Sequence, residues 1–117
     1  MTEPKKLKVI MVCAMGMSSS LLEAKIREAA KTAGVPMELK AVEASFMSRW
    51  DLNADPLDLI LVAPQVRFKK KSFIQAAAPF GTIVLDIDPV HFGMVEGEKV
   101  FQQIMAAIKE RDKGKSG

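Results

Sequence analysis

The sequence predicts an α/β protein with a four-stranded parallel sheet. Four short apolar segments have the length and composition of strands, and they alternate with segments whose apolar residues recur at helical spacing. Strands that alternate with helices form βαβ units, in which the strands are parallel. The 117 residues, 49% of them hydrophobic, suit one core. Because no repeat or linker divides the chain, we expect one domain over residues 1–117, with flexible basic tails at about residues 1–5 and 112–117.

The first strand and the first helix are predicted near the start of the chain. Residues 7–12, LKVIMV, form a short apolar run that is typical of a central strand. A helix follows, and its predicted buried face consists of Leu22, Ile26, Ala29, Ala30 and Ala33. The spacing of Ser20 and Glu23 matches a capping box, although Ser18 and Ser19 are equally suitable caps.

The second and third strands are predicted to differ in burial. Gly34 ends the first helix, and residues 37–43, MELKAVE, alternate apolar with polar side chains, which indicates a half-exposed edge strand. A weak helical pattern follows over residues 46–50. Residues 57–63, LDLILVA, are mostly apolar, so we expect a buried strand that ends at Pro64.

The C-terminal half supplies one more strand between two helices. Residues 68–78 have helical character, and residues 82–87, TIVLDI, are predicted to form the fourth strand. We expect residues 86–92 to form the loop that leaves this strand. The last helix is amphipathic, and its predicted apolar face consists of Val100, Phe101, Ile104, Met105 and Ile108.

Composition and charge exclude several classes of function. Residues 1–8 and residues 109–117 each carry a net charge of +2 while the formal total is +3, so the basic excess lies in the tails. Because no surface rich in arginine and interleaved with aromatic residues is evident, we expect no nucleic-acid partner. No apolar run reaches the ~18 residues that span a bilayer, so we expect no membrane insertion. The single cysteine cannot form an internal disulfide, which is typical of the reducing cytoplasm.

Cys13 lies where chemistry is expected in a sheet of this kind. Ligands of open parallel sheets bind beyond the carboxyl ends of the strands. Cys13 follows the first predicted strand, Pro64 and Gln65 follow the third, and residues 86–92 follow the fourth. Three segments that are distant in sequence should therefore converge on one site.

The segment after Cys13 is suited to holding an anion. It leads into the start of a helix, where backbone N–H groups lack intrahelical partners and the helix dipole favours negative charge. In that field the thiolate form of Cys13 is favoured, and the same N–H groups can hold a phosphoryl group. Gly16 allows a tight turn around an anion, and Ser18, Ser19 and Ser20 add hydroxyl donors.

The residues around Cys13 leave alternatives open. Small tyrosine phosphatases carry a cysteine followed six residues later by an arginine that binds phosphate, but the corresponding residue here is Ser19. The absence of this arginine disfavours hydrolysis of phosphate esters and favours a carrier that keeps a phosphoryl group and passes it on. The other alternative is an ordinary buried cysteine beside a capped helix. Met15 and Met17 likewise suit either an adaptable apolar rim for partners or the core.

A run of cations follows the third strand. It consists of Arg67, Lys69, Lys70 and Lys71, at the start of the next predicted helix. Cations in a first helical turn oppose the helix dipole. We therefore expect this run to dock an acidic partner, the alternative being an ordinary solvated face.

Other polar residues at the same edge allow two interpretations each. Gln65 is either a donor to a phosphate or partner, or a loop residue that faces water. Asp86 and Asp88 are arranged like an acidic pair, but the first strand has no acidic residue to join them, so we expect Asp86 to fix its loop through local hydrogen bonds. His91 is either the base of a Cys–His pair with Cys13 or a solvated loop histidine.

Three motifs in this order resemble those of one protein family. They are VCAMGMSSSLL at the first strand, LVAPQV at the third, and DIDPVHFGMVEG at and after the fourth. With them, nearly the whole chain resembles the IIB component of the lactose/cellobiose (chitobiose) family of the bacterial phosphoenolpyruvate-dependent sugar phosphotransferase system. The resemblance implies an open parallel sheet of strand order 2-1-3-4 with helices on both faces, similar to the small tyrosine phosphatase fold.

The resemblance also implies a reaction. Cys13 would accept a phosphoryl group from a phosphohistidine on the phosphorylated IIA protein and transfer it to a cellobiose-, lactose- or chitobiose-like sugar bound by the membrane IIC permease. The phosphate-binding loop of the family maps to Ala14, Met15, Gly16, Met17, Ser18, Ser19 and Ser20. Its supporting positions are Pro64, Gln65, Asp86 and Phe92, the last of which is commonly a phenol in the family.

The expected cofactors and partners follow from this reaction. The thiophosphate is covalent and transient, so no separate cofactor is needed, and one histidine with one cysteine cannot form a closed zinc site. We expect a cytoplasmic monomer that meets the membrane only through IIC. The alternatives are a low-molecular-weight phosphatase or arsenate-reductase-like hydrolase, and a non-catalytic regulatory module of the same fold.

Overall fold

A four-stranded parallel sheet forms the centre of the protein. The computed structural model describes residues 6–14, 19–47 and 49–115 of the chain. Within them the strands are β1 (Leu7–Cys13), β2 (Met37–Glu43), β3 (Leu59–Val62) and β4 (Ile83–Asp86). Their order across the sheet is β2-β1-β3-β4, and all neighbouring pairs are parallel. The predicted strand order and the predicted edge position of residues 37–43 are confirmed.

The carboxyl ends of the four strands lie level with one another. Cys13 pairs with Glu43 on β2, and Val12 pairs with Val62 on β3. Val62 in turn pairs with Asp86 on β4. Because this register has no offset, the segments that leave the four strands emerge along one side of the sheet, which we call the carboxyl edge.

The two central strands supply most of the sheet's buried surface. All four residues of β3 are buried, and so are residues 9–13 of β1. Parallel strands covered on both faces are expected to be continuously apolar in this way. The outer strands are more exposed, because in β2 only Leu39 is buried and every residue of β4 is half-buried.

Helices cover both faces of the sheet. The described helices are α1 (Ser19–Thr32), α2 (Ala44–Met47), α3 (Lys70–Ala77), α4 (Pro89–Gly93) and α5 (Gly97–Lys115). The chain passes from β1 through α1 to β2 in one direction across the sheet, and from β3 through α3 to β4 in the opposite direction. Right-handed crossovers therefore place α1 and α3 on opposite faces. α5 packs against α1, whereas α2 and α3 line one cavity of about 190 Å³ with β3.

The extent of α5 bears on two expectations. Its last residue is Lys115, so the helix includes residues 112–115 of the predicted tail. Its buried face contains Val100, Phe101, Ile104 and Ile108, as predicted, with Met105 half-buried. Among the described residues, no helix combines the length and the apolarity needed to cross a membrane.

The end of α1 forms as the sequence predicts. Gly34 has a φ of +72°, and its amide donates to the carbonyl of Lys31 at 3.1 Å. The amide of Val35 donates to the carbonyl of Ala30 at 2.9 Å, which completes a Schellman motif. Ala33 lies just beyond the helix and is exposed, which departs from the predicted buried face.

The predicted capping box at the start of α1 is wrong. The helix begins at Ser19, so Ser20 lies inside it and cannot cap it. The Glu23 carboxylate instead accepts from Arg27 Nη2 at 2.6 Å and from the backbone amide of Ala41 on β2 at 3.2 Å. Arg27 Nη2 also donates to the carbonyl of Leu39 at 2.7 Å. Glu23 and Arg27 therefore join α1 to the outer edge of β2.

The segment after β4 contains a helix that the sequence analysis missed. Residues 86–92 are predicted as a loop, whereas α4 begins at Pro89. Asp88 Oδ1 accepts from the amide of Val90 at 2.8 Å and so caps this helix. An aspartate followed by proline is a start signal for a helix, but five residues are too few to show helical periodicity. The helix predicted over 68–78 is shorter, because Pro64–Lys69 and Ala78–Phe80 form 3₁₀ turns around α3.

Candidate functional site

Cys13 is the last residue of β1 and lies at the carboxyl edge. Its side chain belongs to the core and is only 4% exposed. The thiol Sγ donates to the carbonyl oxygen of Met11 at a distance of 3.9 Å. The position at the end of the central strand is the one predicted, and it is the position at which open parallel sheets bind ligands.

The predicted phosphate-binding loop is only partly within the described residues. Ala14 follows Cys13 and is half-buried, and α1 begins at Ser19, with Ser20 exposed in its first turn. The predictions for Met15, Gly16, Met17 and Ser18 concern residues outside the described part of the chain. The helix that follows has 14 residues, and the first N–H groups of such a helix have no intrahelical acceptors.

The segment that leaves β3 lies beside the end of β1. The amide of Ala63 donates to the carbonyl of Val12 at 3.0 Å. The 3₁₀ segment Pro64–Lys69 begins at the next residue and packs against β1. These contacts confirm the predicted convergence of this segment with the Cys13 strand. Within the segment, Pro64 is half-buried and Gln65 is exposed.

Asp86 at the end of β4 does not act as predicted. Its Oδ2 accepts from Lys70 Nζ at 2.8 Å, a partner 16 residues away in the chain. The expectation of local hydrogen bonds is therefore wrong for Asp86, and it is Asp88 that makes a local bond, as the cap of α4. The carbonyl of Asp86 also accepts from Gln103 Nε2 of α5 at 2.7 Å. Gln103 was missed because a single half-buried amide on a long helix has no sequence signature.

His91 and Phe92 both lie on α4, beyond β4. Both are half-buried, and Phe92 packs against the core. His91 lies on a helix and not in a loop, and its Nδ1 is buried without a hydrogen-bond partner among the described residues. β4 is separated from β1 by β3, and the base role of His91 toward Cys13 stays a prediction.

The predicted cationic run divides into two parts. Lys70 forms an ion pair with Asp86, and about a third of its side chain is exposed. Arg67 and Lys71 are exposed and Lys69 is half-buried, and no carboxylate within the described ranges forms a salt bridge with any of the three. The first turn of α3 contains no acidic residue. Salt bridges with the described carboxylates therefore neutralise Lys70 but not Arg67, Lys69 or Lys71.

A set of exposed apolar side chains surrounds the same edge. One or two lie on each segment that follows a strand, and we call the set the apolar rim: Leu21 after β1, Phe46 after β2, Phe68 after β3, and Val90 and Met94 after β4. Phe68 is the most exposed of them, at 78%. Sequence analysis missed the rim because an apolar residue in an amphipathic segment is ordinarily assigned to the core. Five exposed apolar side chains on the segments that follow the strands offer apolar contact area at this edge.

The described residues do not suggest a metal centre. No group of three or more histidine, cysteine, aspartate or glutamate side chains within them could hold a metal ion.

The fold and the site together define a class of protein. It is an α/β protein with a parallel sheet of order β2-β1-β3-β4 and a buried cysteine at the carboxyl edge. Residues 8–103 match the family described as "PTS system, Lactose/Cellobiose specific IIB subunit". The chain belongs to this family, whose members are components of sugar phosphotransferase systems.

Individual relatives agree with this assignment. The chain is 31% identical over 101 residues to the oligo-beta-mannoside-specific EIIB component of Bacillus subtilis, covering 86% of this chain and 95% of the relative. The solution structure of a cellobiose-specific IIB component from Borrelia burgdorferi superposes with a TM-score of 0.71 at 30% identity, covering 93% and 97% of the two chains. A lactose-specific IIB domain from Streptococcus pneumoniae, 23% identical, has the same fold, with a TM-score of 0.73 over 87% of this chain and 97% of that domain.

Proposed function

We propose that this protein is a phosphocarrier in which Cys13 alternates between a thiol and a phosphocysteine. The observation that carries the proposal is the position of the chain's single cysteine at the end of the central strand, in a member of a phosphotransferase family. In this proposal a phosphohistidine of a IIA protein is the donor. A sugar bound to a membrane IIC permease is the acceptor.

Both transfers balance without a cofactor. In the first, the Cys13 sulfur attacks phosphorus in line, the S–P bond forms and the P–N bond of phosphohistidine breaks. The thiol proton ends on the imidazole nitrogen that leaves. In the second, a sugar hydroxyl oxygen attacks the same phosphorus, the S–P bond breaks, and the hydroxyl proton returns to the Cys13 sulfur.

The surroundings of Cys13 favour a carrier over a hydrolase. A thiol that is 4% exposed lies where water has little access, and exclusion of water protects a reactive phosphocysteine from hydrolysis. Ser19 stands where small tyrosine phosphatases place an arginine that stabilises the transition state of hydrolysis. A site with this equipment would hold a phosphoryl group until a specific acceptor arrives.

The apolar rim and the exposed cations support docking of protein partners at the carboxyl edge. Phosphoryl donor and acceptor must both reach the Cys13 sulfur, so they would use this edge in turn. The rim provides apolar contact area, and Arg67 and Lys71 would meet an acidic partner surface. Charge complementarity of this kind mainly accelerates association.

The sugar we propose is a β-linked disaccharide of the cellobiose or lactose type. The family is named for lactose and cellobiose, the Borrelia relative for cellobiose, and the Bacillus relative for oligo-beta-mannosides. We propose the same class of acceptor here, with the choice among its members made by the permease.

Intact-mass measurement tests the proposal. The wild-type chain is incubated with phosphoenolpyruvate, the general phosphotransfer proteins and a lactose/cellobiose-class IIA protein, beside Cys13→Ala and Cys13→Ser. We expect one added phosphate on the wild type alone, lost again when IIC membranes and cellobiose are supplied. An adduct that persists in Cys13→Ala, or no adduct with an active IIA donor, refutes the proposal. Turnover of an aryl phosphate by the wild type would favour a hydrolase instead.

A further inference from the structure

The Lys70–Asp86 pair connects two segments of the carboxyl edge. Lys70 Nζ lies 2.8 Å from Asp86 Oδ2, and about a third of each side chain is exposed. Lys70 directly follows the segment Pro64–Lys69, which packs against β1. Asp86 ends β4, two strands away from β1. The pair therefore joins the end of the segment Pro64–Lys69 to the neighbouring edge strand β4.

Asp86 is itself held in place from a second direction. Its backbone carbonyl accepts from Gln103 Nε2 at 2.7 Å, and Gln103 lies on the 19-residue helix α5. Lys70 is thus anchored to a residue fixed both by the sheet ladder and by a long helix. Because Lys70 directly follows the segment Pro64–Lys69, its ion pair with Asp86 also fixes the end of that segment.

Stability alone gives little reason for this pair. Lys70 is the first residue of α3, where a cation opposes the helix dipole, and Lys69 at the N-cap makes no side-chain capping bond. Ion pairs of this exposure contribute little to folding. A local rule is broken at the carboxyl edge with little gain in stability, which is the pattern expected of residues kept for function.

We propose that Lys70 and Asp86 are positioning residues for phosphoryl transfer to Cys13. They hold the segment Pro64–Lys69 where the incoming donor meets Cys13, so that the docked phosphorus lies in line with the sulfur. This inference rests on the proposed phosphocarrier function. It separates Lys70, which acts through the position of the segment, from Arg67 and Lys71, which would act through affinity for the donor.

Single-turnover kinetics separate these roles. The rate of phosphate transfer from phosphorylated IIA to the chain is measured over a range of IIA concentrations for wild type, Lys70→Met, Asp86→Asn and the double variant. We expect each variant to lower the maximal rate about tenfold, because small misplacements of reacting groups are costly. The half-saturating IIA concentration should change less than about twofold, because the surface that binds the donor is retained. Lys70→Arg, which keeps the ion pair, should restore the rate.

The opposite end of the sheet offers a matched control. Lys8 and Asp55 form an ion pair of similar exposure at the amino ends of the strands. Asp55→Asn should leave the transfer rate unchanged, although it removes the same charge as Asp86→Asn. A double variant of Lys70 and Asp86 that is no slower than either single variant supports the inference, since both residues then act through one arrangement.

The outcomes that overturn this inference differ from those that overturn the phosphocarrier function. If wild type is phosphorylated on Cys13 and the Lys70 and Asp86 variants keep its maximal rate, the positioning role is refuted. Equal losses in Asp55→Asn, or a change confined to the half-saturating concentration, refute it as well. Absence of phosphate on wild-type Cys13 with an active IIA donor refutes the phosphocarrier function itself.

Discussion

Gly97 permits the close packing of α5 on α1, and replacing it with alanine should loosen the helix layer. Gly97 is buried at the first position of α5. A Cβ added there would lie 2.4 Å from Lys25 Cβ, 2.6 Å from the Lys25 carbonyl carbon and 2.8 Å from the Ile26 nitrogen. All three atoms belong to the backbone or to the first side-chain carbon of α1, so no rotation of a flexible side chain relieves the contact.

The magnitude follows from the shift that the clash requires. Ordinary contacts begin near 3.4 Å, so the start of α5 must move by about 1 Å relative to α1. Overpacking of this kind costs about 1–3 kcal/mol, and a rigid backbone contact belongs at the upper end of that range. With an unfolding entropy of about 2.1 cal/mol/K per residue, a cost of 2–3 kcal/mol lowers the Tm by about 8–12 °C in a chain of this length.

Urea and thermal unfolding followed by circular dichroism measure this loss. Gly93→Ala is the control, because a Cβ there meets nothing within 4 Å and Gly93 has no positive φ. We expect Gly93→Ala to be neutral or to stabilise the chain by up to about 1 kcal/mol. A Gly97→Ala variant as stable as wild type would refute the packing argument, and so would equal losses in the two variants.

Three further predictions concern the edge of β2, the amino end of the sheet and the apolar rim. Glu23→Ala should cost about 1–2 kcal/mol in urea unfolding, because the amide of Ala41 loses its acceptor. The pKa of Lys8 is raised above its ordinary value of 10.5, chiefly by its hydrogen bond to Asp55. The folded chain therefore holds this proton more tightly than the unfolded chain, so this stabilisation is complete below pH 10.5 and is lost as the pH rises through the raised pKa. The difference in unfolding free energy between wild type and Lys8→Met should shrink accordingly above that pH. Phe68→Ser should weaken binding of phosphorylated IIA about 5- to 10-fold in titration calorimetry, because exposed aromatic residues often dominate interfaces.

Each of these predictions has a matched control. Glu28→Ala removes an exposed carboxylate from the same helix and should be neutral, so an equal loss there would contradict the role of Glu23. Lys6→Met should leave the alkaline stability curve unchanged, and a difference for Lys8→Met that persists undiminished at high pH would contradict the linkage. Phe80 is exposed at the amino end of β4, so Phe80→Ser should not affect IIA binding if Phe68 acts through the rim.

The strands themselves and the position of Cys13 could be predicted because they depend on strong, local signals. The apolar runs that became β1 and β3 are continuous, and β2 alternates as an edge strand should. Gly34 ends α1 with a positive φ, as a helix-terminating glycine is expected to do. For the order of the strands the prediction relied on family motifs, because periodicity alone does not say which strands are neighbours.

The partners of the charged side chains could not be predicted from sequence. Glu23 lies three residues after Ser20, which is the spacing of a capping box, but its carboxylate bonds the amide of Ala41 on another element. The sequence predicts local hydrogen bonds for Asp86, but its carboxylate accepts a hydrogen bond from Lys70 at the start of the preceding helix, α3. Local spacing shows which bonds are possible within one element. The actual partners of Glu23 and Asp86 lie on other elements, and only the tertiary fold brings them within hydrogen-bond distance.

The two ends of the sheet differ in how many of their polar groups have partners and in how much apolar surface they expose. Near the amino ends of the strands, Asp58 accepts from the Lys8 amide and pairs with Arg111, and the Thr82 hydroxyl donates to the Leu57 carbonyl. At the carboxyl edge, by contrast, the described residues include exposed cations without carboxylate partners and the exposed apolar rim. Three buried polar atoms there also lack hydrogen-bond partners: Asp86 Oδ1, His91 Nδ1 and Gln103 Oε1.

This asymmetry supports the proposed site at the carboxyl edge on grounds other than the cysteine. A chain selected only for stability would have no reason to satisfy one end of its sheet and leave the other end incomplete, since an unsatisfied buried polar atom costs about 1–3 kcal/mol wherever it lies. Groups left incomplete at one edge are available to a partner that supplies what they lack. Neutral substitutions of the exposed cations at the carboxyl edge should therefore change stability little, whereas removal of Asp58 at the amino end should destabilise the chain strongly. These two results together would agree with the proposed placement of function at the carboxyl edge.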